Sequence, residues 1–422
     1  MTRIAFHALG FAALLAAPAA AQEQVRIMWY SDGNEGAVMQ DLLDRFEEEH
    51  PEIDVVLDTV AYQVVQEQLP IQLASGEGPD IARVTNALKT DAEHWLDLRP
   101  YLNDAAYWDD NFGPYLDWMR EDGSDAIPGF PTQLTLTGGF ANKTLFEQAG
   151  VEMPGEGATW DDWIEASAQV MQDQQLPAAF AIDRTGHRVS APMFSYGAIY
   201  RAEDGSPAPI DDNAMRFAEE LVGWTDEGLM LPEVWVSASG TTYRAATEDF
   251  TNALVPFYYS GSWQVANLSQ QIGDAFDWVA VGSPCGEAGC TGIPGGAGLV
   301  AVKYTDQPEA VATVMDYLAS EEVLREFSER TLFIPAHVGL AEAGLDYQSE
   351  DSQVPPALDA FVASSSQILP EAAAMPGWLW SPAYYGAIVT RISQVMAGEL
   401  TLEEARPLID RDIADQVAAA QQ

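Results

Sequence analysis

Basic residues are scarce in this chain. Its 422 residues carry 19 Lys and Arg against 65 Asp and Glu, a formal charge of −46 at pH 7. Only Lys89, Lys143 and Lys303 are lysines. That composition excludes nucleic acid and anionic membranes as partners, because both are gripped through clustered Lys and Arg that displace counterions. The acidic excess reads as a solvated surface suited to salt, not as a cation site.

Long apolar runs are also missing. The first segment, Met1–Ala21, has Arg3, an apolar stretch from Ile4 to Ala17 and small residues Ala19, Ala20 and Ala21 before Gln22. This is the pattern of a cleaved secretory signal. The stretch is shorter than the ~20 residues a membrane span needs, and no later stretch reaches that length. Gln22, not a cysteine, directly follows the cleavage point, so a lipid anchor is not expected and the mature chain is expected free in the periplasm.

Cysteine is nearly absent. Cys285 and Cys290 sit in Cys-Gly-Glu-Ala-Gly-Cys, which in an oxidising compartment reads as a disulfide pinning a loop. Catalytic signatures are lacking as well: there is no Gly-x-Ser-x-Gly, His-Glu-x-x-His, Ser-x-x-Lys or Walker loop. The histidines beyond the signal, His50, His94, His187 and His337, are scattered, so neither a metal site nor a cofactor is implied. No repeat of 20–50 residues is visible, which argues against a solenoid or propeller.

What is present is a strand, helix, strand opening. Val25–Tyr30 is an apolar strand, Val38, Leu42, Leu43 and Phe46 make one helical face, and Ile53–Leu57 is a second strand. Such an order begins a parallel α/β sheet. Ile81–Val84 follows as a strand after the turn at Ser75–Asp80, and Trp278–Val281 is another. Around Phe130 an alternating extended stretch suits a strand crossing between lobes, and Thr159 is placed to cap a helix. The helix after Asp306 has Pro308 in its first turn. A mature chain of about 400 residues exceeds what one core supports, so two lobes are expected.

The ordered motifs Val25-Arg26-Ile27-Met28-Trp29-Tyr30, Leu73-Ala74-Ser75-Gly76-Glu77-Gly78-Pro79-Asp80-Ile81, Asn142-Lys143-Thr144-Leu145-Phe146, Thr159-Trp160-Asp161 and Ser260-Gly261-Ser262-Trp263 resemble the family 1 extracellular solute-binding proteins, the maltose-binding-like sugar receptors. The resemblance covers nearly the whole mature chain. Ala141 departs from the Tyr common before that Asn-Lys. The resemblance implies a two-lobed periplasmic-binding-protein fold of class α/β, each lobe a sheet flanked by helices with a ligand cleft between. It implies lobes made of residues 22–133 with 284–334 and 134–283 with 335–422, crossing near Leu134, Ser283 and Pro335. It further implies a monomer that hands a carbohydrate to the permease subunits of an ABC importer and needs no cofactor. The competing class is a secreted glycosidase using paired carboxylates.

Ligands in open α/β sheets sit beyond the carboxyl ends of the strands. Sugars there need aromatic faces and fixed polar groups. By that criterion Ser31, Asp32 and Asn34 after the first strand, and Thr85 and Asn86 after the Ile81 strand, are candidates, with caps and turns as the plain alternative. Gln133 and Thr135 share one face of the crossing strand. Trp263 follows a strand end where a large aromatic would project outward, and the resemblance implies a sugar-stacking role for it. Gly295 and Gly296 permit close backbone approach. Trp378 and Tyr385 lie where the resemblance implies cleft-lining aromatics. Arg184 and Arg188 are a surface turn or, jointly, a seat for an anionic substituent.

Overall fold

The computed structural model describes residues 22–420 apart from 32, 86–87 and 237–243. The signal segment therefore lies outside the described residues. Ten strands follow in chain order: β1 (Glu23–Trp29), β2 (Ile53–Thr59), β3 (Ile81–Val84), β4 (Gly129–Asn142), β5 (Phe180–Ile182), β6 (Phe257–Gly261), β7 (Trp278–Val281), β8 (Cys285–Gly286), β9 (Gly289–Cys290) and β10 (Pro294–Ala301). Eight of them form one sheet, seven in the order β2-β1-β3-β10-β4-β6-β5 and β7 beside β4.

The opening unit forms for the reason its pattern suggests. Helix Glu35–Glu49 buries Val38, Met39, Leu42, Leu43 and Phe46, a stripe at helical spacing, and β1 pairs in parallel with β2. Along β1, Ile27 and Trp29 enter one apolar core while Met28 and Tyr30 enter another on the opposite face. A strand covered on both faces reads as continuously apolar. Thr159 caps helix Trp160–Gln174 in a reciprocal box with Asp162.

Strand β4 is the spine. Its 14 residues pair with β10 in the first half and with β6 and β7 in the second. Only Leu134 and Thr135, at the change of partners, are partly open. The apolar packing divides at the same place. One core takes Val25 to Phe130 and Leu299 to Leu340; the larger one takes Leu136 to Ile293 and Val354 to Ile413, with Leu332 at its edge.

Near two of the expected crossings each apolar group continues further along the chain. Ser283 still belongs to the second group, where its hydroxyl donates to the Thr137 carbonyl at 3.0 Å, and the chain leaves only after Ile293. After Pro335, His337 is 2.8 Å from the Tyr107 hydroxyl, and Leu340 enters the first core. Ile334 bridges Leu134 on the way, its carbonyl accepting from Leu134 N at 2.8 Å. Cys285 and Cys290 are bonded and close the β8–β9 hairpin. That hairpin is pinned to the second group through Cys285 N to Ala158 O at 2.9 Å and Ala288 N to Ser195 O at 2.8 Å.

Candidate functional site

Strand β10 is partly open only at Pro294, Gly295 and Gly296, which pair with Leu136, Thr135 and Leu134 of β4. Here the two central strands expose a short floor. A Cβ on Gly295 would lie 3.3 Å from Thr135 Oγ1 and 3.7 Å from His187 Nε2. The glycine thus keeps a gap between the floor and the His187 ring.

His187 and Arg188 stand in the first turn of helix Gly186–Ser195, which Thr185 caps by accepting from Arg188 N. That helix end abuts the backbone at Tyr385, where a Cβ on Gly186 would overlap. The Tyr385 ring is 5.4 Å from His187, edge to face. The Arg188 guanidinium lies over the Trp263 ring at 4.1 Å, a cation–π stack. Its Nε is 3.5 Å from Asp183 Oδ2. Asp183 follows β5 and accepts from the Tyr258 hydroxyl at 2.9 Å and the Ser260 hydroxyl at 2.5 Å. Burial, then the Arg188 charge, holds the His187 pKa well below its ordinary value, so the ring is neutral at pH 7. Burial drives the Tyr385 hydroxyl far up.

A second polar cluster gathers at the carboxyl ends of β1, β2 and β3. The Tyr62 hydroxyl is 2.8 Å from Thr85 Oγ1 and accepts from Gln66 Nε2 at 2.8 Å. Its ring packs on Tyr30 at 4.9 Å yet remains exposed. Beneath it Arg83 is fully buried on Trp29 and Tyr30 and donates to Glu35 Oε1 at 2.9 Å.

The sequence matches the family model described as bacterial extracellular solute-binding protein over residues 30–324, more than half of the chain. The chain belongs to that family. A binding protein of Brucella abortus (strain 2308) is 24% identical over 386 residues, 88% of each chain. The lactose-binding protein of Rhizobium radiobacter is 25% identical over 360 residues, 82% of each. Among solved structures, the GacH receptor of Streptomyces glaucescens superposes with a TM-score of 0.77 at 19% identity, covering 94% of this chain and 98% of that one. A solute-binding protein of Thermotoga lettingae bound with α-D-tagatose reaches 0.77 at 17% identity, covering 93% and 99%. These likenesses establish the two-lobed α/β fold. No helix among the described residues is long and apolar enough to cross a membrane.

In this solute-binding protein Thr135, Arg188, Trp263, Gly295 and Tyr385 come together. Thr85 and the exposed Ser31 stand with the second cluster. The other candidates go elsewhere. Asp32 and Asn86 lie outside the described residues. Asn34 donates its amide to the Arg330 carbonyl at 3.0 Å, tying two helices of the first group. Gln133 is buried and accepts from Thr132 Oγ1, and Gly296 is small because the Gln133 carbonyl would meet any Cβ. Trp378 is in the larger core, its indole N–H given to Gly205 O at 2.9 Å.

Arg184 and Arg188 meet different partners. Arg184 Nε donates to Ser393 Oγ at 3.0 Å, about 12 Å along the helix from Tyr385 at 1.5 Å per residue. Trp263 does not project outward. It is 9% exposed, belongs to none of the three apolar cores, and folds back over Gly261, where a Cβ would overlap its ring. Asp183 and His187 lie in the Asp183–Arg188 stretch that the sequence singles out for its cations, and Tyr62 escaped the sequence reading. Tyr62 could have been found, because it follows β2 as Ser31 follows β1.

Proposed function

We propose that this protein is the periplasmic substrate-binding subunit of an ABC importer. It takes a sugar, oligosaccharide or sugar derivative between two lobes and delivers it, as a monomer, to membrane permease subunits. The lobes are residues 22–133 with 294–345 and residues 134–293 with 346–420, following the division of the apolar cores. The observation that carries the reading is the polar and aromatic cluster of Thr135, His187, Arg188, Trp263 and Gly295, gathered where β4 opens to solvent. Lactose, acarbose and tagatose, the ligands named for its relatives, support a saccharide. A ligand touching both lobes favours the closed form by the extra contacts made there.

The experiment is a thermal-shift screen of mature protein against mono-, di- and oligosaccharides, polyols and their charged derivatives. A true ligand at 100 times its dissociation constant adds about 2.7 kcal/mol of stability. Absence of any shift across the panel refutes the sugar reading. Product analysis of the same mixtures separates it from the glycosidase alternative, which would cleave its ligand.

A further inference from the structure

Arg188 is held loosely for a cation in such a place. A guanidinium has five N–H donors. Among the described residues one of them reaches a partner within hydrogen-bond distance, Nη1 toward His187 Nδ1 at 3.5 Å. Nε is buried without a hydrogen bond although Asp183 stands 3.5 Å away. The side chain is 20% exposed, so part of it is open to solvent. The Trp263 ring beneath it fixes the guanidinium plane and removes the entropic cost of orienting it at binding.

The neighbours make the seat donor-rich. With Nδ1 facing the Arg188 donor, the His187 proton belongs on Nε2, the nitrogen turned toward the gap over Gly295. The nearest acceptor, Asp183, already takes hydroxyl hydrogens from Tyr258 and Ser260. Sugar hydroxyls are equally donors and acceptors and have no need of such a set. A carboxylate accepts only, and its two oxygens match the in-plane fork of a guanidinium. The charge of −46 repels an anion at long range, but a Debye length of ~8 Å at physiological ionic strength confines that repulsion.

We infer that the ligand is a carboxylated saccharide of the uronic-acid class, its carboxylate seated on Arg188 with the His187 Nε2–H as second donor. This rests on the sugar-receptor reading and names its substrate class.

The test measures calorimetric binding of mature protein to glucuronate, galacturonate and their oligomers against the matched neutral sugars, with acetate and succinate as carboxylates lacking a ring. The acids bind roughly tenfold or more tightly than their neutral counterparts. Arg188→Gln abolishes that preference, Arg188→Lys keeps part of it, and neither moves the ligand-free melting temperature by more than about 2 °C. Equal or tighter binding of the neutral sugars overturns the inference, as does an Arg188→Gln protein whose acid affinity stays within about twofold of the parent. If only ring-less carboxylates bind, and do so through Arg188, the sugar reading falls while the carboxylate seat stands. If nothing binds, both fall.

Discussion

Arg83 on β3 and Arg188 on helix Gly186–Ser195 both lie on aromatic rings, 4.2 Å from the Tyr30 ring and 4.1 Å from the Trp263 ring. Their partners differ. Arg83 meets Glu35 at 2.9 Å with exposures of 0% and 1%, whereas Arg188 stands 3.5 Å from Asp183 with exposures of 20% and 16%. The first pair also ties down the chain after β1, because Arg83 donates to the Tyr30 carbonyl and Glu35 accepts from Gly33 N at 2.8 Å. A stack that is fully buried and closely paired is architecture, while one that is partly exposed and more loosely paired is available to a ligand.

Breaking the closed stack has the largest expected effect. Arg83→Ala leaves Glu35 buried without its cation, and removal of one partner of such a pair costs about 3–5 kcal/mol. Urea unfolding of the variant measures this, and a loss below about 1 kcal/mol would erase the contrast between the two arginines.

The open stack responds in affinity instead. Trp263→Ala removes the surface that orients Arg188, and loss of a well-packed aromatic anchor costs ~2–4 kcal/mol of binding. Because Trp263 lies outside the apolar cores, its ligand-free stability falls less than that of Trp160→Ala, a buried core tryptophan for which ~3–5 kcal/mol is usual. Denaturation and calorimetry on both variants decide it. Equal destabilisation with unchanged affinity would make Trp263 a core residue.

The smallest effect probes a charge left without a partner. The carboxylate of Asp91, next to Thr90, whose hydroxyl points at the Leu379 carbonyl, has no hydrogen-bonding partner among the described residues. Burial, then Glu93, raises its pKa from 3.8 to about 6. The folded state therefore binds the proton more tightly than the unfolded one, so this group's stability contribution is present at low pH and is lost as pH rises from 3.8 through about 6. Asp91→Asn should gain about 1 kcal/mol at pH 8, discounted for partial exposure, and nothing below the unfolded value. Melting temperatures at pH 8 and pH 3.5 check it; an equal change at both would remove the titration from the explanation.

Features with short-range causes were legible from the sequence. The strand, helix, strand opening, the Thr159 cap, the extended run of β4 and the Cys285–Cys290 bridge each depend on residues a few positions apart, where spacing alone sets the face and the cap. Strand β10 was not legible as a strand, since Gly295 and Gly296 look like a turn until the Gln133 carbonyl is known to lie against them. The convergence of Arg188 on Trp263, of His187 over Gly295, and of Tyr62 on Thr85 came only from the tertiary structure. So did the parting of Arg184 from Arg188 and the diversion of Asn34 to Arg330. Those placements follow from strand register and from which surfaces bury against which, and both are set by contacts between segments distant in the chain, to which local periodicity is blind.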